Sequence, residues 1–244
     1  MSTVPPEVVK DLAPTGKLRA AINLGNPVLA QGTPQEPRGV TVDLARELAR
    51  RAGLPLELVP FDAAGKVFEA LKGGAWDIAF LAIEPVRAAE IAFTAPYVII
   101  EGVYMVPVGS RLKSVADVDS AGVRIAVNKG SAYDLFLTRT LKHAQLVRGE
   151  SGVDVFLADK LEVAAGVKQP MVAYAKTNPN VRIMDGRFME IRQAMGTPRP
   201  REAAARYLRA FVEEMKASGF VADALKRSNQ PDAAVAPPAP PAPS

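Results

Sequence analysis

Three short apolar runs, Leu18–Ile22, Leu56–Val59 and Asp77–Leu81, alternate with two stretches of helical spacing. In the first stretch Leu44 and Leu48 stand four apart with Ala45, Ala49 and Ala52 beside them, Asp43 near the start and Gly53 at the end. The second, Ala64–Leu71, turns Val67, Ala70 and Leu71 to one side and stops at Gly73-Gly74. A strand–helix–strand–helix–strand order needs parallel crossovers, which are right-handed and lay helices on both faces of a sheet. The first part of the chain is therefore expected to be a small α/β lobe, with Pro34–Gly39 as a hairpin-like loop.

A second unit is expected after it. Glu101–Pro107 reads as extended, Val115–Asp117 as a short helix and Val123–Val127 as a buried strand. Asn128–Tyr133 leads into a helix, Asp134–Leu141, and Leu146-Val147 is a strand candidate. Val153–Ala158 reads as a further strand ending at Asp159-Lys160, and Val172–Lys176 and Val181–Met184 complete the lobe. After an extended return at Met189–Met195, the pattern is helical from Arg199 to Ser218 and from Phe220 to Arg227. The expected division is residues 1–98 plus 195–230 as lobe 1 and 99–194 as lobe 2. Two extended crossings, Val98–Val108 and Arg192–Thr197, would make a two-strand hinge that permits closure. Residues 231–244, PDAAVAPPAPPAPS, are Pro/Ala low complexity and are expected to form a disordered or polyproline tail.

Composition excludes several classes of function. With 48% hydrophobic residues the 244-residue chain has ample core, and no apolar run approaches the roughly 18 residues needed to span a bilayer. There is no cysteine for disulfide or thiolate chemistry, and one histidine, His143, cannot make a multi-histidine metal site. The +4 charge is spread at helical spacing, as in Arg46, Arg50 and Arg51, with acids between, so a solvated surface is expected and not a nucleic-acid footprint. No phosphate-binding glycine loop, dinucleotide fingerprint or Ser/His/Asp set is present, and no cofactor is expected. The opening residues MSTVPPEVVKDLAPTGKL lack the basic and apolar regions of a signal peptide. Either a leader has been removed, or the protein stays inside the cell.

The stretch Trp76–Tyr97, WDIAFLAIEPVRAAEIAFTAPY, carries the chemistry. Glu84-Pro85 opens a helical turn, because proline's fixed φ and missing N–H cost nothing there. Arg87 then falls in a first turn, where a cation opposes the helix dipole. A bound anion would explain it; an ordinary solvated arginine is the alternative.

This stretch resembles the signature of the type II periplasmic solute-binding proteins that bind polar amino acids, and the resemblance extends from Gly16 to about Arg227. It implies a two-lobed α/β clamshell with a two-strand hinge, acting as a monomer that traps an amino acid or related carboxylate. It also implies an ABC permease partner at the inner membrane and a periplasmic location, with a cytoplasmic one open because no signal peptide is present. By the resemblance Arg87 grips the ligand carboxylate, Gly130-Ser131-Ala132 form an anion nest, Asp159 holds the ammonium and Phe61 is an apolar wall. Two positions depart from the pattern: Gly25 replaces an aromatic and Ala82 a hydroxyl, for which the amides of Asn23 and Asn26 could compensate. Two alternatives remain: a dehydratase acting on cyclohexadienyl substrates or arogenate, with Glu84, Glu101 or Glu162 as its acid, and a non-exported ligand-sensing module.

Overall fold

The computed structural model describes residues 4–241, so the first and last three residues of the chain lie outside it. The chain divides into two compact units, one running to Ile99 and resuming at Arg192, the other Ile100–Ile191.

The first unit opens with α1 (Pro6–Leu12), started by a proline at its first turn, and β1 (Leu18–Asn23). The short pair β2 (Gln31–Gly32) and β3 (Pro37–Arg38) folds back on itself, with β3 inside the expected loop and β2 just before it. Helix α2 (Val40–Ala52) buries Leu44, Leu48 and their alanine neighbours and ends at Gly53, which takes the left-handed conformation (φ 64°) that glycine adopts without strain. Next come β4 (Leu56–Phe61), α3 (Ala64–Ala70), β5 (Ile78–Ala82), α4 (Pro85–Ala88) and β6 (Ile91–Phe93). Strands β4 and β5 flank β1 and both run parallel to it, as the alternation of strands and helices requires. Trp76 fills the space between α3 and β5, fully buried, with its indole N–H donating 2.9 Å to the Val67 carbonyl.

Strand β7 (Val98–Pro107) carries the chain into the second unit. A 3₁₀ turn (Val115–Asp117) leads to β8 (Arg124–Asn128), α5 (Ala132–Thr140), β9 (Gln145–Gly149) and α6 (Gly152–Ala158). Then follow β10 (Val163–Val167), α7 (Lys168–Thr177) and β11 (Val181–Ile183). Strands β9 and β10 flank β8 in parallel, and β10 and β11 pair antiparallel to β7. The core of this unit is Val103, Met105, Ala126, Phe156, Leu161, Ala164 and Met171.

Two expectations for this unit fail. Val153–Ala158 is helix α6, not a strand: Ser151 caps it, its hydroxyl accepting from the Asp154 N–H. Val172–Lys176 lies within α7, and the strand of this region is β10, whose small residues VAAGV carry little strand signal of their own.

Strand β12 (Met189–Pro198) returns to the first unit, where Gln193–Gly196 pair antiparallel with β5 and Gly196–Pro198 with β6. Helices α8 (Glu202–Ala217) and α9 (Phe220–Arg227) follow. The end of the chain also departs from expectation, since residues 231–241 pack against the first unit. Ala234 and Val235 form β13, antiparallel to Ile99 and Val98, and the Ala236 N–H donates to the Tyr97 carbonyl. The buried Lys216 ammonium holds both the Pro96 and the Pro237 carbonyl, at 3.1 and 3.0 Å. The side chains of Ala233 and Ala236 are buried, so low complexity is compatible with packing. Residues 242–244 of the expected tail lie outside the described residues.

Candidate functional site

Open α/β sheets hold ligands at the carboxyl ends of their parallel strands. In the first unit β1 and β4 end in register, Asn23 opposite Phe61, and β5 on the other flank of β1 ends at Ala82. Asn23, Phe61 and Ala82 therefore share one sheet edge. Phe61 lines a cavity of about 340 Å³ with Leu24, Pro34, Pro60, Asp62 and Lys66. The amides of Asn23 and Asn26 are partly committed, because their carbonyl oxygens accept from the Gly25 and Val28 N–H groups and shape the turn after β1. Gly25 stands where its backbone nearly touches the residue that follows β4: a Cβ there would lie 2.4 Å from the Asp62 carbonyl oxygen. Any side chain at this position would require the turn to shift.

Arg87 follows directly from the end of β5. Pro85 starts α4, and Arg87 projects from that single turn so that its Nη1 donates 3.0 Å back to the Ala82 carbonyl. The guanidinium is 1% exposed. Burial lowers its pKa to about 10, opposed by the nearby Glu84 carboxylate, so it stays charged at neutral pH. Glu84 is itself 3% exposed. The solvated-arginine alternative is thereby removed.

In the second unit the carboxyl edge is formed by Asn128, Gly149 and Val167, the last residues of β8, β9 and β10. Gly130, Ser131 and Ala132 sit there, at the start of α5. The Ser131 hydroxyl accepts from the Asp134 N–H at 3.1 Å, and the Gly130 N–H donates 2.8 Å to the Asp134 carboxylate. Asp134 is buried and is gripped through both oxygens by Arg148 Nε, at 2.9 and 3.1 Å. The expected anion nest is thus partly filled by the chain's own carboxylate.

Asp159 lies elsewhere. It is an exposed residue at the C-terminal end of α6, just before Lys160, whose carbonyl accepts from Arg124 at the first position of β8. Asp159 is therefore at the amino edge of this sheet and Ser131 at the carboxyl edge, separated by the length of β8, roughly 16 Å for five residues. The two do not converge. The misplacement follows from the misassigned strand: the strand end beside Ser131 belongs to Val167.

The three glutamates weighed as acids differ sharply. Glu162 receives a bidentate bond from Arg124 at 2.9 and 2.7 Å, which holds its carboxyl below the usual range and makes it a poor proton donor. Glu101 faces Lys168 and Arg187 at 3.6 and 3.7 Å. Glu84 is the buried one, and its proximity to Arg87 could have been suspected from the i,i+3 spacing. Among the described residues no group of three His, Cys, Asp or Glu could hold a metal ion, and no helix is long and apolar enough to cross a membrane.

Residues 18–228 match the family described as bacterial extracellular solute-binding proteins, family 3. No curated protein matches the chain. Among solved structures, one of the solute receptors for L-cysteine of Neisseria gonorrhoeae is 21% identical, with 91% of this chain and 94% of that chain covered and a TM-score of 0.76. A mutant of ArgBP from T. maritima is 21% identical over 91% of this chain and 99% of that one, with a TM-score of 0.74. The ancestral amino acid-binding protein AncCDT-1, a precursor of cyclohexadienyl dehydratase, is 20% identical over 90% and 98%, with a TM-score of 0.71. At these identities the likeness is one of fold, a mixed α/β architecture.

Proposed function

The chain belongs to the bacterial extracellular solute-binding proteins, family 3, and from that premise we propose that it captures a small zwitterion, an amino acid or a related carboxylate, for an ABC importer. The observation that carries the reading is Arg87, a buried guanidinium at the carboxyl edge of parallel strands, next to an end strand residue without a polar side chain. A planar fork of donors in a water-poor site suits a carboxylate. Phe61 supplies an apolar wall and the amide NH2 groups of Asn23 and Asn26 supply donors at the carboxyl edge of the first unit's sheet. Solved structures of similar fold include a receptor for L-cysteine and ArgBP, which supports an amino-acid ligand. The partner is a permease pair in the inner membrane, the working form is a monomer and the compartment is the periplasm.

The family is one of binding proteins, which favours capture of the ligand over its turnover. Calorimetric titration with a panel of L-amino acids tests the proposal. At least one should bind, and Arg87→Ala should lose about 2–5 kcal/mol of that affinity, since a buried charge is left without its partner. No binding by any amino acid, or full affinity in Arg87→Ala, overturns it.

A further inference from the structure

Along residues 233–241 every third residue faces the body of the first unit. Ala233 and Ala236 are buried and Ala239 is half-buried, whereas Ala234, Pro237, Pro238, Pro240 and Pro241 are exposed. A three-residue repeat is that of a polyproline chain, and it sets the three alanines on one side. Residues 237, 238, 240 and 241 are prolines, so from Ala236 to Pro241 only Ala236 and Ala239 carry an N–H. The body answers both. The Tyr97 carbonyl accepts from Ala236 at 3.0 Å, and Glu213 Oε1 accepts from Ala239 at 2.7 Å. Between them Lys216 Nζ donates to the Pro237 carbonyl at 3.0 Å, from a side chain only 4% exposed. An acceptor, a cation and an acceptor thus stand in the order that matches the backbone of Ala-Pro-Pro-Ala. Just before them Ala234 and Val235 pair with Ile99 and Val98. Each of these bonds is made to a backbone atom of the segment, so none depends on the segment being tethered to the same molecule.

We propose that Tyr97, Lys216 and Glu213 form a binding site for an extended Ala-Pro-Pro-Ala segment of a partner protein, with the chain's own residues 233–241 as the tethered occupant that the partner displaces. Recognition combines strand addition at Val98 and Ile99 with the reading of a polyproline backbone beyond them. Prolines bring φ already set, so such a segment loses less freedom on docking than an ordinary one. Selectivity follows from the donors and from burial. A proline at the position of Ala239 leaves the Glu213 carboxylate without its N–H, and a charge at the buried position of Ala236 leaves water without gaining a partner. The tether holds the chain's own segment at an effective concentration of roughly millimolar. A partner segment therefore competes when it binds more tightly or is presented in several copies.

The test uses the full chain and a fluorescent synthetic peptide of residues 231–244, with binding read by anisotropy. In one variant the chain's own segment is disabled by Ala236→Asp and Ala239→Pro. This disabled chain should capture the peptide at least about tenfold more tightly than wild type, whose tethered segment competes. Adding Lys216→Met should weaken capture about tenfold or more, since a hydrogen bond from a charged group is lost. A peptide with Ala239→Pro should lose a similar factor on the disabled chain, and it carries the test if Lys216→Met does not fold. No capture by the disabled chain overturns the site. So does capture that ignores both Lys216→Met and the substituted peptide, or capture by wild type as tight as by the disabled chain.

Discussion

Nη1 of Arg201 lies 2.7 Å from the Oδ1 of Asp77, joining residues 124 apart in sequence. Arg19 grips the same carboxylate through Nε and Nη2 at 3.1 and 3.0 Å, and its backbone N–H adds a third bond at 2.9 Å. The start of β1, the start of β5 and the approach to α8 are thus tied at one fully buried carboxylate. Asp77→Ala leaves two guanidinium groups facing an emptied site and should cost about 3–5 kcal/mol. Urea unfolding measures this; a loss below about 1 kcal/mol would show that solvent replaces the carboxylate.

Gly25 packs its backbone against Asp62, just past the end of β4. Gly25→Ala would place a methyl 2.4 Å from the Asp62 carbonyl oxygen, a backbone atom that cannot rotate away. The turn must shift, at a cost of about 1–3 kcal/mol. The melting temperature should fall by several degrees, about 2–4 °C for each kcal/mol in a chain of this size. An unchanged melting temperature would mean that the turn after β1 is looser than its hydrogen bonds imply.

Deleting residues 231–244 removes β13, the Ala236–Tyr97 bond and the 2.7 Å bond from the Ala239 N–H to Glu213. Each such bond contributes about 0.5–1.5 kcal/mol net, offset in part by the entropy of ordering the segment. The shortened protein should be less stable by about 1–3 kcal/mol, and the amides of the Tyr97–Ile99 region should exchange faster with deuterium. Identical exchange in both proteins would show that the segment contributes nothing where it docks.

Glu47 accepts bonds from Arg50 at 2.9 and 2.7 Å and from Arg51 at 2.8 Å, and its pKa falls from 4.5 to about 2, with Arg50 as the larger cause. The carboxylate titrates lower in the folded chain than in the unfolded one. Its contribution is therefore complete above about pH 4.5 and is lost as pH falls toward about 2. Glu47→Gln should reduce stability at pH 6 and bring the variant closer to wild type near pH 2.5, measured by denaturant unfolding at both values. A gap that does not narrow would place the loss in packing and not in charge.

The α/β part of the first unit was legible because its elements carry their own period: Leu44 and Leu48 mark α2, and Leu18–Ile22 and Leu56–Val59 mark strands that pair in the structure. Arg87 was legible as well, since Pro85 fixes where its turn begins. The second unit misled. Val153-Asp154-Val155 alternates as a strand does, yet Ser151 with Asp154 three residues on is the mark of a helix start, and that signal was available. Strand β10 hides because it is buried on both faces and built of small residues; Gly166 must be small, as a Cβ there would meet the Met171 side chain at 2.9 Å. No local pattern reveals such a constraint. The assignment of Asp159 inherited that error, whereas the burial of Glu84 and the closure of the Gly130 N–H by Asp134 are properties of three-dimensional packing alone.

Strand β5 acquires its neighbour β12 only at Gln193, about 110 residues after its own end. A ribosome adding about 5–20 residues per second therefore leaves that edge without its final partner for roughly 5–20 s. Every residue of β5 is buried in the finished protein, so the nascent chain meanwhile presents a five-residue apolar edge with unpaired backbone groups, the kind that recruits other strands. Because the second unit is inserted in sequence between β5 and β12, this open interval falls during synthesis, and holding that edge apart from neighbouring nascent chains becomes a requirement of the chain order itself.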